Sequence, residues 1–348
     1  MSLEPFPGFV SLETHHCITG SMLHLYRAHG DAISEDMLLG IGAGLGFIYW
    51  HQKGAAPMLG GRANVARPGE EGLEVTAARR TGVRAERHAT GSARKAEATL
   101  LALLEAGQPV MLQVDMGFLP YLHDLPEGFH FGYHVITVGG YEPATRRVLV
   151  ADRDLPLHPV SLEDLARARG STYKPFPPRH TWYTYDFAGR RSPRPEEIHR
   201  AIREVCRGML AAPIANLGVR GIHKAAAEVS GWAARMDEAS QREACMSAFM
   251  FIDAAGGTGG GIFRWMYARF LGEAAEQLGQ PELAQAGRDL RLIGDAWQQV
   301  AAQFLQAARA EHPAESLHGI PPRLQAIADR EAEMWSGLTQ QLGPAPKA

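Results

Sequence analysis

The chain has little cysteine, no marked surplus of one charge and no long apolar run. Its 348 residues include three cysteines, Cys17, Cys206 and Cys245, widely spaced and odd in number. That argues against a disulfide framework or a Cys-based zinc motif, and it suits a reducing compartment. Lys and Arg number 35 against 38 Asp and Glu, a formal net charge of −3. Nucleic-acid-binding domains usually carry a basic stripe, so no nucleic-acid partner is expected. No apolar stretch reaches the roughly 18 residues of a membrane helix, so no membrane partner is expected either. Met1-Ser2-Leu3-Glu4-Pro5 lacks the basic and apolar regions of a signal peptide, and the expected location is cytoplasmic. The length suffices for two domains.

The sequence changes character near residue 190. The first half alternates short helical patterns with apolar strands. The second half is rich in Ala, Gln, Glu and Arg at helical spacing. Gly189-Arg190-Arg191-Ser192-Pro193-Arg194-Pro195 reads as a linker between them. The expected class is α+β, with a mixed domain over 1–188 and an all-α domain over 195–342.

Cys17 follows a short leader, Thr14-His15-His16, and opens a helix whose apolar face carries Ile18, Met22, Leu25 and Tyr26. Far downstream, a strand from His134 turns at Glu142-Pro143-Ala144-Thr145 and returns to Asp152. The midpoint of His134 and Asp152 is residue 143, inside that turn, so an antiparallel hairpin brings both to its open end. A thiol needs help to ionise at neutral pH, and a helix N-terminus and an imidazolium both supply it. His134 would serve as base and then acid, with Asp152 fixing its tautomer. Singly, each residue reads as ordinary core or turn; their order and geometry together point to nucleophilic catalysis.

Other features carry weaker signals. The glycine run Gly40–Gly46, with Gly44 near its centre, would line a site with backbone amides or simply let helices pack. Gly256 to Gly261, with Gly259 and Gly260, precedes a helix expected from Ile262, whose first amides would suit an anion. Arg264 and Tyr267 would face the same end. Tyr121, Phe129, Phe131 and Tyr133 would line an acyl or aglycone pocket, or fill core. His123, Asp124, His130 and His134 do not have a metal-ligand spacing, and no metal is expected.

Several separated blocks resemble one family. His16-Cys17, Ser34-Glu35-Asp36-Met37, Gly40-Ile41-Gly42-Ala43-Gly44-Leu45-Gly46, Leu119-Pro120-Tyr121, His134-Val135 and Val150-Ala151-Asp152 resemble the N-terminal domain of the butirosin biosynthesis protein H family. The second half, around Phe263-Arg264-Trp265-Met266-Tyr267-Ala268-Arg269-Phe270-Leu271, resembles the helical domain of unknown function that often follows it. The resemblance implies a papain-like first domain related to bacteriocin-processing cysteine peptidases. It implies an acyltransferase of secondary metabolism in antibiotic biosynthesis, with Cys17, His134 and Asp152 as the triad. The donor would be a phosphopantetheine thioester on an acyl carrier protein, the acceptor a small-molecule amine, and no cofactor would be bound. The related peptidases place a Gln six residues before the nucleophile. Here that residue is Ser11, so the second oxyanion donor is open among His16, Thr14 and Ser11.

The same triad with water as acceptor would give a thioesterase, amidase or peptidase. A third reading is a non-catalytic scaffold that binds a carrier protein or peptide. The Ala-rich helices would also support a homodimer.

Overall fold

A computed structural model describes residues 3–52, 56–61, 71–174, 176–256 and 260–343. The chain begins with α1 (Cys17–Ala28), α2 (Glu35–Ile41), β1 (Ile48–Trp50), β2 (Met58–Gly60) and α3 (Leu73–Arg80). Then come β3 (Arg84–His88), α4 (Ala93–Glu105), β4 (Val110–Val114), β5 (His134–Glu142), β6 (Arg147–Ala151), β7 (His158–Ser161), α5 (Leu162–Gly170) and β8 (Trp182–Asp186). The rest is helical: α6 (Pro195–Leu210), α7 (Gly218–Ser230), α8 (Trp232–Arg235), α9 (Glu238–Ile252), α10 (Gly260–Leu278), α11 (Pro281–Arg309), α12 (Pro313–Leu317) and α13 (Ile320–Leu342). Among the described residues, no helix is long and apolar enough to cross a membrane. The class is mixed, with a helical C-terminal region.

Packing divides the chain into two units: Met1–Leu38 with Thr81–Ser192, and Leu39–Arg80 with Pro193–Ala348. The expected first domain is thus corrected, because residues 39–80 pack with the helical unit. That unit also holds β1 and β2, which form a two-stranded antiparallel sheet.

In the first unit, six strands form one antiparallel sheet in the order β3-β8-β4-β5-β6-β7. Leu100 and Leu104 of α4 and Leu162, Leu165 and Ala168 of α5 join Val110, Leu112, Ile136, Val138, Val148 and Val150 in one core. Helix α1 packs on β5 and β4. Every residue of β4 is therefore buried, as expected for a strand covered on both faces.

Helix α1 is tied to β5 by two reciprocal hydrogen bonds. Ser21 Oγ donates to the Val135 carbonyl at 3.2 Å, and Thr137 Oγ1 donates to the Ser21 carbonyl at 3.1 Å. The expected apolar face of α1 is therefore only part of what is buried; Ser21 and His24 are buried as well, each with a partner. This clamp sets the start of α1 against the start of β5.

The β5–β6 hairpin differs from the expected register. Thr137 pairs with Ala151 and Val138 with Val150, but Gly140 pairs with Leu149. Gly139 is the extra residue of a bulge. A Cβ there would lie 2.0 Å from the Phe9 ring, which explains the glycine. Extending the outer register places Asp152 opposite Ile136, so His134 is a diagonal neighbour of Asp152 rather than its direct partner. Diagonal neighbours on one face remain within reach of long side chains.

Candidate active site

His16 is the N-cap of α1, and Cys17 is its first residue. Neither position is left to local propensity. Glu35, the first residue of α2, accepts the backbone N–H of His15 and of His16 at 2.9 Å each. The hydroxyl of Thr19 also donates to Glu35 Oε1, at 2.9 Å. The turn before the thiol is thus wrapped around one carboxylate. The first turn of α1 itself holds no acidic residue, and the positive end of the helix favours a thiolate.

His134 is the first residue of β5 and is buried; Asp152 follows the last residue of β6 and is also buried. Their side chains meet, with His134 Nε2 2.8 Å from Asp152 Oδ2. His134 and Cys17 also act on each other's protonation. Cys17 is half-buried. Burial acts to raise its thiol pKa. Hydrogen bonds from His134 and His16, with the fields of both rings, outweigh that and hold it well below the ordinary 9.0. Burial acts to lower His134, but Asp152 and Cys17 raise it to about 10. Asp152 is held below its ordinary value, burial notwithstanding, mainly by the charge and hydrogen bond of His134. The three groups therefore favour a thiolate–imidazolium pair braced by a carboxylate, an arrangement suited to attack on an acyl carbon.

The sequence did not announce the second donor to Asp152. Tyr121 donates its hydroxyl to the same Oδ2 at 2.9 Å. Its ring stacks on His158 with centroids 4.0 Å apart, and His158 Nε2 in turn meets Asp154 at 2.8 Å. Burial, and the charge of Asp152, keep the Tyr121 phenol well above its ordinary pKa, so it remains a donor. Tyr121, which the sequence allows either along an acyl or aglycone pocket or in the core, braces Asp152 through its hydroxyl. The only sequence clue was the turn Leu119-Pro120-Tyr121, placed between β4 and β5.

Asp115 anchors the loop that delivers His134. Its Oδ1 accepts the N–H of Gly117 and of Phe131 at 3.0 Å each. Its Oδ2 meets His130 Nδ1 at 3.0 Å and Ser171 Oγ at 2.5 Å. Fully buried and four-fold bonded, it holds both ends of the loop together.

The remaining expected residues divide. Ser11 donates its hydroxyl to the Asp154 carbonyl at 3.1 Å, which commits its one proton elsewhere. Thr14 donates its backbone N–H to the Arg153 carbonyl, and its buried Oγ1 faces Gly20, where a Cβ would lie 2.3 Å away. Tyr133 is 40 % exposed, and Tyr133 and Phe131 both contact the Phe176 ring.

Several expectations fall in the helical unit and are corrected there. Gly44 is a packing glycine, since a Cβ would meet Leu73 and Leu39 within 2.6 Å. Helix α10 starts at Gly260, not Ile262, and Gly260 is buried against the Trp297 indole. Gly259 lies outside the described residues. Arg264 and Tyr267 are fully buried. The Arg264 guanidinium bonds both oxygens of Glu331 at 2.9 and 3.0 Å and the carbonyls of Gly46 and Gly61. These donors close the core of their own unit. Among the described residues no three His, Cys, Asp or Glu side chains converge as for a metal ion.

Comparison with known families gives two matches. Residues 16–153 match butirosin biosynthesis protein H, N-terminal. Residues 163–338 match a domain of unknown function, DUF4872. The first match opens on His16 and closes one residue after Asp152. The second begins within α5, so α5 and β8 belong to the DUF4872 match although they pack in the first unit. No curated protein matches the chain. With both matches in order and together spanning most of its length, the chain belongs to the family that joins a butirosin biosynthesis protein H N-terminal domain to a DUF4872 domain.

Proposed function

We propose that this protein is a cysteine-dependent acyltransferase of antibiotic or related secondary metabolism. It moves an acyl group from a thioester, carried by the phosphopantetheine arm of an acyl carrier protein, through Cys17 to an amine. The family description supports the biosynthetic setting. The observation that carries the chemistry is the buried His134–Asp152 pair, 2.8 Å apart, beside a Cys17 thiol that its histidine neighbours hold well below the ordinary value. A thiol at a helix start, facing a sheet that presents His and then Asp, supports a papain-like reading of the first unit.

In this reading the Cys17 thiolate attacks the thioester carbon, and the backbone N–H of Cys17 is one oxyanion donor. The carbon–sulfur bond to the donor breaks, and the departing thiolate takes a proton from His134. The amine then attacks the acyl-enzyme, with His134 as base, and Cys17 is released. One covalent intermediate shared by two half-reactions predicts ping-pong kinetics.

The test is intact-protein mass spectrometry after incubation with a panel of acyl thioesters, wild type beside Cys17→Ala. An acyl adduct on the wild type alone is the expected result. Adduct on both proteins, or on neither, would overturn the assignment. Adduct that only water removes would make the enzyme a hydrolase.

A further inference from the structure

We propose that Glu35 is a positioning residue of the acyl-transfer site: it captures the amides that precede Cys17 and so leaves those of Cys17 and Ile18 free for the substrate's carbonyl oxygen. The inference rests on the acyl-transfer reading of Cys17.

Glu35 is buried, and its partners flank the thiol residue on both sides. Oε2 accepts the His15 N–H, and Oε1 accepts the His16 N–H and the Thr19 hydroxyl, each at 2.9 Å. Ser34 Oγ accepts the Met37 N–H at 2.9 Å across the start of α2, which fixes the backbone that carries Glu35.

The consecutive amides from His15 to Gly20 have different fates. Those of His15 and His16 go to Glu35. That of Thr19 goes to His16 Nδ1 at 3.4 Å, and that of Gly20 to the His16 carbonyl at 2.7 Å. Among the described residues, the N–H groups of Cys17 and Ile18 have no acceptor. His16 is thus held at its N–H by Glu35 and at its carbonyl by Gly20. That carbonyl shares a peptide plane with the Cys17 N–H. Glu35 therefore helps to set the direction of the donor beside the sulfur.

The sign of the charge separates positioning from activation. A carboxylate bonded to the turn that carries a thiol disfavours the thiolate, so Glu35 is not there to ionise Cys17. Its bonds matter when charge reaches the substrate oxygen. As the Cys17 thiolate adds to the thioester carbon, the carbonyl π pair moves onto oxygen, and that oxyanion needs fixed donors. The carbonyl re-forms as the donor thiolate leaves. Alkylation by iodoacetamide differs: sulfur displaces iodide at a saturated carbon, and no oxyanion forms.

The experiment compares these two reactions on the full chain near pH 7. Acetyl transfer from an acetyl N-acetylcysteamine thioester is followed by intact mass, beside the rate of alkylation by iodoacetamide. Glu35→Gln removes the charge and leaves one acceptor oxygen for three donors. Its alkylation should hold at the wild-type rate or rise. Its acetylation should fall by about 10²-fold, the loss that a misplaced catalytic group brings. Thr19→Val removes the hydroxyl bond to Glu35, leaves both amide bonds, and should show the same split in smaller degree. Equal slowing of both reactions, slowing of neither, or slowing of alkylation alone would overturn the role given to Glu35. Should Glu35→Gln not fold, Thr19→Val decides by the same outcomes. Wild type that alkylates but takes no acetyl group would instead overturn the acyl-transfer reading itself, and this inference with it.

Discussion

Tyr121 and His134 converge on a single carboxylate oxygen: both reach Oδ2 of Asp152, at 2.9 and 2.8 Å. Two donors on one oxygen divide its negative charge. Tyr121 therefore sets how strongly Asp152 can hold the imidazolium, without touching the thiol.

Replacement of Tyr121 by Phe removes one donor and nothing else of the ring stack on His158. The Tyr121 hydrogen bond is among the causes that depress Asp152, so its loss raises the proton affinity of that carboxylate. The sign follows directly. A depressed carboxylate contributes stability above its unfolded pKa and loses it as pH falls through the folded value. In Tyr121→Phe that loss should begin at higher pH, and the acidic limb of activity should move up with it. The stability cost at neutral pH should be about 1.5–3 kcal/mol, as for a hydrogen bond to a charged group. Denaturation at several pH values, beside a kcat/KM profile, checks both. A uniform drop without movement of the acidic limb would reduce Tyr121 to a packing residue.

The thiolate–imidazolium pair predicts the pH dependence of Cys17 alkylation by iodoacetamide. Cys17 lies well below 9.0 and His134 at about 10. The wild-type rate should be high and nearly flat across neutral pH, where an ordinary thiol still climbs towards 9. In His134→Gln the midpoint should move up towards the ordinary thiol value, while the His16 hydrogen bond keeps it from reaching that value. Linkage gives the matching stability signs. The contribution of His134 is complete below 6.5 and is lost as pH rises through about 10. That of Cys17 is present above 9.0 and is lost as pH falls through its depressed value. An unchanged midpoint in His134→Gln would show that the pairing does not activate the thiol.

The parts of this architecture that the sequence showed are those governed by short-range rules. The α1 start and the helical second half follow from local signals and period. The pairing of His134 with Asp152 could be anticipated because a hairpin is local, although the Gly139 bulge changed how they meet. Long-range partners were not visible. Nothing in the spacing of Tyr121 and Asp152, or of Thr19 and Glu35, shows that one will donate to the other. The glycine and arginine signals allow either a ligand site or packing, and Gly44, Gly260 and Arg264 are interior. A glycine that admits a neighbouring ring and one that admits a ligand look alike in a sequence.

Asp152→Asn tests the triad more sharply than removal of the thiol, because the fold should survive it. The substituted amide keeps the shape but loses the charge that holds His134 protonated. The His134 tautomer then has no fixed partner, since the amide can present either an oxygen or an N–H to Nε2. Acylation should fall by about 10²–10⁴-fold, the range that loss of an orienting carboxylate produces in comparable sites. Circular dichroism should remain that of the wild type. Full acylation activity would remove Asp152 from the mechanism.

Glu331 governs stability rather than chemistry. Its Oε1 accepts Arg264 Nε and Trp297 Nε1, each at 2.9 Å. Its Oε2 accepts Arg264 NH2 at 3.0 Å and Trp335 Nε1 at 3.2 Å. Helices α10, α11 and α13 are thus joined through one fully buried carboxylate. Glu331→Gln leaves the guanidinium buried beside an uncharged amide that can turn only one oxygen to four donors. Breaking one side of a buried ion pair typically costs about 3–5 kcal/mol, most of it the uncompensated charge. Arg264→Met alone strands the opposite charge and should cost a similar amount. The double variant strands neither charge, so its loss should be well short of the sum of the single losses. Urea denaturation of the four proteins measures that coupling. Strict additivity would mean that Arg264 and Glu331 are held by their surroundings independently, and that the ion pair does not join the three helices.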